Sequence, residues 1–239
     1  MLETLRNAWR IKELRNKILF TLFIILVFRV GSVIPVPYID VAALKSAADS
    51  GATNEFFSYL SILTGGGLEY GAIFAMSVTP YINASIIIQL LSVAIKPLER
   101  LAQQGEEGRK KIAQITRYAT IILGLIQGTA YFFYLKNNSC LSVTGGTVVF
   151  AAFVIILCFT AGSALVMWLG EQITQKGVGN GISIIIFSGI VASMPTMFGG
   201  LWLAVTEFKT ITWWVFAIVV AIFLAMIAFV VFITDAERR

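Results

Sequence analysis

Few residues of this chain have types and spacings suited to covalent chemistry. The sequence holds no His, which removes Ser-His-Asp and Cys-His catalysis and every His-based metal site. Its two cysteines, Cys140 and Cys158, are too few for a disulfide framework or a four-thiolate metal site. Cys158 stands inside an apolar run and reads as a small packing residue. Glu106 and Glu107 are adjacent, so they do not face one another across a site as paired catalytic carboxylates must. The run Gly177-Val178-Gly179-Asn180-Gly181 is glycine-rich and precedes a helical pattern. Ile182 occupies the place of the third Gly of a dinucleotide fingerprint, and no Walker lysine stands in the right place. The run therefore reads as a tight turn entering a helix, with Asn180 or Ser183 as N-cap. The expectation is a protein without catalytic residues, cofactor or metal.

The elements around these residues are apolar. Hydrophobic residues make up 58% of the chain and charged residues 13%, with a mean hydropathy of +0.85. A soluble domain carries roughly 25% charge. No charge falls between Gly71 and Ile95, between Tyr118 and Leu135, or between Leu141 and Gly170. Only Glu207 and Lys209 interrupt the stretch from Gly177 to Thr234. A membrane-spanning helix needs about 20 apolar residues, and these gaps supply them. The strands of a membrane barrel alternate apolar and polar residues, whereas Ile182-Ser183-Ile184-Ile185-Ile186-Phe187 does not. The fold class is therefore all-α, a polytopic helical membrane protein.

Residues 1–17 are basic and amphipathic and read as a cytoplasmic segment lying on the membrane surface. Spans are expected at 18–36, 71–95, 118–135, 147–170, 180–200 and 211–233. The first is not a cleaved leader by pattern, because Arg29, Pro35 and Pro37 follow its apolar stretch without a small-residue cleavage site. An external segment, 37–70, holds a short semi-apolar stretch near 54–64 with Phe56, Phe57 and Leu60, too short to span. Gly65-Gly66-Gly67 follows as a flexible joint. A basic loop fills 96–117, and 234–239 begins another. The net charge of +5 reports topology. With the N-terminus inside, fourteen of the eighteen Lys and Arg fall on cytoplasmic segments and three on external ones, which fixes the orientation by the positive-inside rule. Arg100, Arg109, Lys110 and Lys111 of the basic loop set topology on the plain reading, and offer a docking surface for a cytoplasmic partner on the functional one.

The second span is unusually polar, carrying Ser77, Thr79, Asn83, Ser85, Gln89 and Ser92 around Pro80. Such groups should face protein or a wet cavity. Val78 and Ile82 in this span, and Ile186 and Ile190 in the fifth, are aliphatics four residues apart, which by spacing alone are packing residues. Gly124 and Gly128 form a small-xxx-small pair that favours close helix packing. No acid stands at mid-membrane, which weighs against an ion-coupled transporter.

Several strings, in order along nearly the whole chain, resemble the SecY family of protein-conducting channels. They are RVGSVIPVP at 29–37, PYINASIIIQL at 80–90, EEGRKK at 106–111 with TRY at 116–118, MWLGEQIT at 167–174 and GNGISIIIF at 179–187. The family has ten spans in two inverted halves, and the resemblance covers the first six: one half plus one helix. It implies that 54–64 is a plug closing the channel from outside, with Gly65, Gly66 and Gly67 as its hinge. It implies that Val78, Ile82, Ile186 and Ile190 belong to the aliphatic pore ring, Val78 replacing a more usual Ile. Asn83, Ser85 and Gln89 would then lie on the gate side of a hydrated funnel. The implied partners are SecE and SecG, a ribosome or the SecA motor, a nascent or secretory polypeptide, membrane lipids and the remaining C-terminal half of the channel. The implied place is the bacterial cytoplasmic (inner) membrane, with multiple passes. The implied function is passage of unfolded polypeptides and lateral release of hydrophobic segments. A secondary transporter or small-solute channel, or a membrane insertion component without a pore, are the alternatives.

Overall fold

A computed structural model describes residues 11–49, 61, 64–143, 145–206 and 213–236. Among these residues the regular structure is helical. The helices are α1 (Lys12–Gly31), α2 (Val41–Asp49), α3 (Thr79–Ala94), α4 (Lys96–Gln103), α5 (Glu106–Asn137), α6 (Val148–Lys176), α7 (Gly181–Thr206) and α8 (Trp213–Ala236). Two isolated antiparallel bridges, Pro35 with Ala72 and Ile39 with Leu141, tie the connections together. The chain divides into two units, Met1–Ala192 and Ser193–Arg239.

Four described helical stretches are long and apolar enough to cross a membrane, or five if α3 and α4, bent by 100° at their break, form one span. The four are 106–137, 145–176, 181–200 and 213–234. The span expected at 18–36 falls largely on α1, which starts and stops earlier. Any 18-residue stretch of α1 retains Arg15, Lys17 and Arg29, so α1 is less cleanly apolar than the others.

The span expected at 71–95 is helical only from Thr79. Residues 65–78 fold as successive turns, with positive φ at Gly71 and Ser77 among others. Pro80 stands in the first turn of α3, where its missing N–H breaks no helical bond. The apolar residues before it are buried without being helical. Phe74 stacks on Phe28 of α1 at 6.0 Å, and the carbonyl of Ile73 lies so close to Gly162 of α6 that no Cβ fits there.

The basic stretch expected as a loop at 96–117 is mostly helix. α5 runs 32 residues without interruption, about 48 Å at 1.5 Å per residue, against a hydrocarbon core of about 30 Å. Its first turns, with Arg109, Lys110 and Lys111, are good helix formers and extend the span beyond lipid. On its other face Gly124 and Gly128 are buried against α6, where Ser163 Oγ stands 3.0 Å from the place of a Gly124 Cβ. That is the close packing their spacing suggests.

Two apolar clusters hold the first unit. One gathers Val36, Leu44, Leu68, Leu135, Cys140, Ile155 and Phe159 near the ends of α5 and α6. Tyr131 donates its hydroxyl to the Leu68 carbonyl there at 2.8 Å. Burial, and second the Asp40 carboxylate, push the Cys140 thiol above its ordinary range. The other cluster gathers Ile24, Phe28, Phe74, Val78, Val166, Leu169, Ile173 and Ile185. In the second unit α8 is apolar all round and almost wholly exposed, as a helix facing lipid or a further helix is.

Candidate functional site

A half-open cavity of about 460 Å³ opens among α3, α5, α6 and the start of α7. α3 lines it with Tyr81, Ile82, Ser85, Ile86 and Gln89. These positions recur at helical spacing, so one face of α3 forms the wall. α6 adds Glu171, Thr174 and Gln175 at the same periodicity, and α5 adds Arg117. Asn180, Ile182 and Ser183 at the start of α7 close one end. The lining is thus a mixture of branched aliphatics, neutral polar groups and a single pair of opposite charges.

Local sequence explains how α7 is aimed. Asn180 Oδ1 accepts hydrogen bonds from the backbone N–H groups of Ile182 at 3.1 Å and Ser183 at 3.3 Å. Of the two candidate caps, Asn180 is the one used, satisfying donors that a helix start leaves open. Thr174 Oγ1 accepts from the Gly181 N–H at 2.9 Å and donates to the Gly170 carbonyl at 3.0 Å. Thr21 of α1 accepts from the Val178 N–H at 3.2 Å. Gly181 sits directly against the Gly170 carbonyl, and a Cβ there would overlap that oxygen. The turn is therefore tied from three sides, and α6 and α7 cross closely.

Arg117 Nε donates to Glu171 Oε1 at 2.8 Å, joining α5 to α6. The Arg117 side chain is 44% exposed and that of Glu171 20%, so the pair is only partly desolvated.

The four aliphatics singled out in the sequence are placed unequally. Val78 is buried in the second apolar cluster, with Ile82 and Ile186 packed against it. Ile82 also lines the cavity; Val78, Ile186 and Ile190 are not among its lining residues. Ile190 is half-buried, one turn beyond Ile186 on α7. Ser85 and Gln89 line the cavity, while Asn83 is exposed outside it. Arg100 on α4 and Arg109, Lys110 and Lys111 on α5 are exposed, away from the cavity lining. Gly65 and Gly66 have positive φ, 69° and 86°. Gly65 packs against Gly189 of α7 and the Arg29 guanidinium, whose Nη1 stands 2.6 Å from the place of a Gly65 Cβ. Nη2 of Arg29 is buried without a hydrogen-bond partner among the described residues. Phe56, Phe57 and Leu60 lie outside the described residues.

Sequence reasoning did not single out Arg117 or Glu171 as a pair. They stand 54 residues apart, and no periodicity connects them. The usable signal was position, since Arg117 directly precedes the charge-free stretch 118–135 and Glu171 directly follows that of 141–170.

A family model described as SecY matches residues 72–239. The protein translocase subunit SecY of Bacillus subtilis (strain 168) is 45% identical over all of this chain, which covers 56% of that relative. The same-named subunit of Streptomyces scabiei is 39% identical, with the same two coverages. The chain thus spans little more than half the length of these curated relatives. Among solved structures, one described as that of a protein-conducting channel aligns with a TM-score of 0.54 at 19% identity, covering 75% of this chain and 37% of that one. Sec61 in a canine ribosome–channel complex from the endoplasmic reticulum aligns with a TM-score of 0.55 at 18% identity, with the same coverages. These structures share the helical fold, and the apolar helices make the chain a multi-pass membrane protein. With a family model matching most of its length, the chain belongs to the SecY family.

Proposed function

We propose that this chain supplies one side of a protein-conducting channel, and that the cavity among α3, α5, α6 and α7 is part of the polypeptide's route. The observation that carries the reading is the make-up of that cavity. Branched aliphatics at Ile82, Ile86 and Ile182 alternate with neutral Ser85, Gln89, Thr174 and Ser183. Such a wall offers a passing chain no fixed pattern of hydrogen bonds to match, so many sequences can move along it. Ile82 stands where this wall meets the apolar cluster of Val78 and Ile186. A narrow apolar constriction there resists ions by dewetting when empty.

Gly65, Gly66 and Gly67 act as the hinge of a plug formed by the preceding segment, and Arg29 lies against that hinge. Arg100, Arg109, Lys110 and Lys111 form a basic face for a ribosome or the SecA motor. SecE, SecG and the C-terminal half of the channel complete the assembly in a bacterial inner membrane. The N-terminus lies in the cytoplasm, and hydrophobic segments leave sideways into lipid past Asn83, Ser85 and Gln89. The chain conducts and does not catalyse; the driving energy comes from the cytoplasmic partner.

Site-specific crosslinking tests this. Channels are assembled from this sequence together with the helices that the longer relatives carry, and a polypeptide is arrested within them. Cysteines introduced as Ile82→Cys and Ile190→Cys crosslink to the arrested chain. A cysteine at Ile87, an exposed residue of α3 (43% exposed) on the face turned away from that wall, does not. Crosslinks at Ile87 with none at Ile82 and Ile190 overturn the route.

A further inference from the structure

The cavity carries two charges, and they cancel. Of its lining residues only Arg117 and Glu171 are ionised, one on α5 and one on α6, and they are joined at 2.8 Å. The Asn180 carbonyl oxygen and the Thr174 hydroxyl are already engaged with backbone groups of the α6–α7 turn. Any fixed electrostatic preference of this wall must therefore come from the Arg117–Glu171 pair.

A purely structural role is the competing explanation. It explains little, because an ion pair this exposed adds little to packing. α5 and α6 are already in close contact at Gly124 and Gly128, against Ser163, Thr160 and Ile156. The position of the pair matters more than its strength. Each partner masks a charge that would otherwise stand alone in a partly desolvated cavity, where interactions between charges are stronger than in water.

We infer that the Arg117–Glu171 pair neutralises the polypeptide route and makes it even-handed toward acidic and basic stretches of the passing chain. This rests on the cavity being that route. With Arg117 removed, Glu171 attracts lysines and repels glutamates of the substrate. With Glu171 removed, Arg117 does the opposite. An unpaired charge about 4 Å from a substrate charge shifts occupancy by about fivefold even at the dielectric of bulk water.

The test places a photo-crosslinking residue at Ile82 in the assembled channel and arrests polypeptides bearing an uncharged, a lysine-rich or a glutamate-rich tract at that point. In the unaltered channel the three yields are similar. Arg117→Gln raises the ratio of lysine-rich to glutamate-rich yield about 25-fold, fivefold from each tract, and Glu171→Gln lowers it by about as much. The double variant Arg117→Gln with Glu171→Gln, and the reversed pair Arg117→Glu with Glu171→Arg, both return the ratio to that of the unaltered channel. Equal loss of yield for all tracts in both single variants is the mark of a structural brace and overturns the inference. So does a ratio that moves the same way in both. If the uncharged tract fails to crosslink at Ile82 in the unaltered channel, the route itself is wrong, and the two failures are thereby told apart.

Discussion

Replacing Gly181 by Ala destabilises the protein by about 2 kcal/mol, although Ala is the better helix former. Two effects oppose one another. Helix propensity favours Ala over Gly by about 1 kcal/mol. The new Cβ, however, overlaps the Gly170 carbonyl oxygen and lies 2.7 Å from Ile173 Cβ. Backbone cannot swing aside as a long side chain can, and forced overpacking costs up to about 3 kcal/mol. Overlap therefore wins. A thermal unfolding scan in detergent or lipid shows a lowered midpoint for Gly181→Ala. The control is Gly199→Ala, also within α7, where a Cβ meets open space. That variant is neutral or stabilised by up to about 1 kcal/mol. Equal midpoints for the two variants would mean that α6 and α7 do not cross this closely.

The second large effect concerns ions. Ile82→Gly combined with Ile186→Gly raises ion leak through the assembled channel several-fold. Both side chains pack against the cluster around Val78, so their removal widens an apolar constriction and lets it wet. Glycine also weakens any helix that it enters. The matched control is therefore Ile122→Gly with Ile126→Gly, two exposed positions on α5, each 59% exposed. Planar-bilayer conductance rises for the first pair and not for the second. Equal conductance in both would count against an aliphatic seal at Ile82.

Much of this architecture was legible because lipid imposes simple rules. The charge-free stretches 118–135 and 141–170 fall largely on α5 and α6, and Gly124 and Gly128 marked the face of α5 that packs on α6. An Asx residue before an apolar helical run marked the start of α7. The boundaries of α3 were less legible for a definite reason. Hydropathy reports burial, not backbone path. Ala72, Phe74, Ala75 and Val78 are all buried, as in a span, yet positive φ at Gly71 and Ser77 carries them through turns. The length of α5 was hidden by the opposite error, in which charge was taken for loop. Arg109, Lys110 and Lys111 are exposed because they stand on helix outside the apolar core. Long-range pairings left no trace in the sequence. Arg29 was visible only as a charge in an apolar stretch, and its place beside Gly65 is a tertiary fact. The same holds for Arg117 and Glu171, whose meeting depends on how α5 packs on α6.

The most direct measurement is a structure, by electron cryomicroscopy, of the assembled channel with a polypeptide arrested in it. Extended density is expected to run through the cavity, past Ile82, Ser85 and Gln89 of α3, with the Arg117–Glu171 pair still closed beside it. Density that passes elsewhere, with this cavity filled by lipid or by a neighbouring helix, would contradict that route.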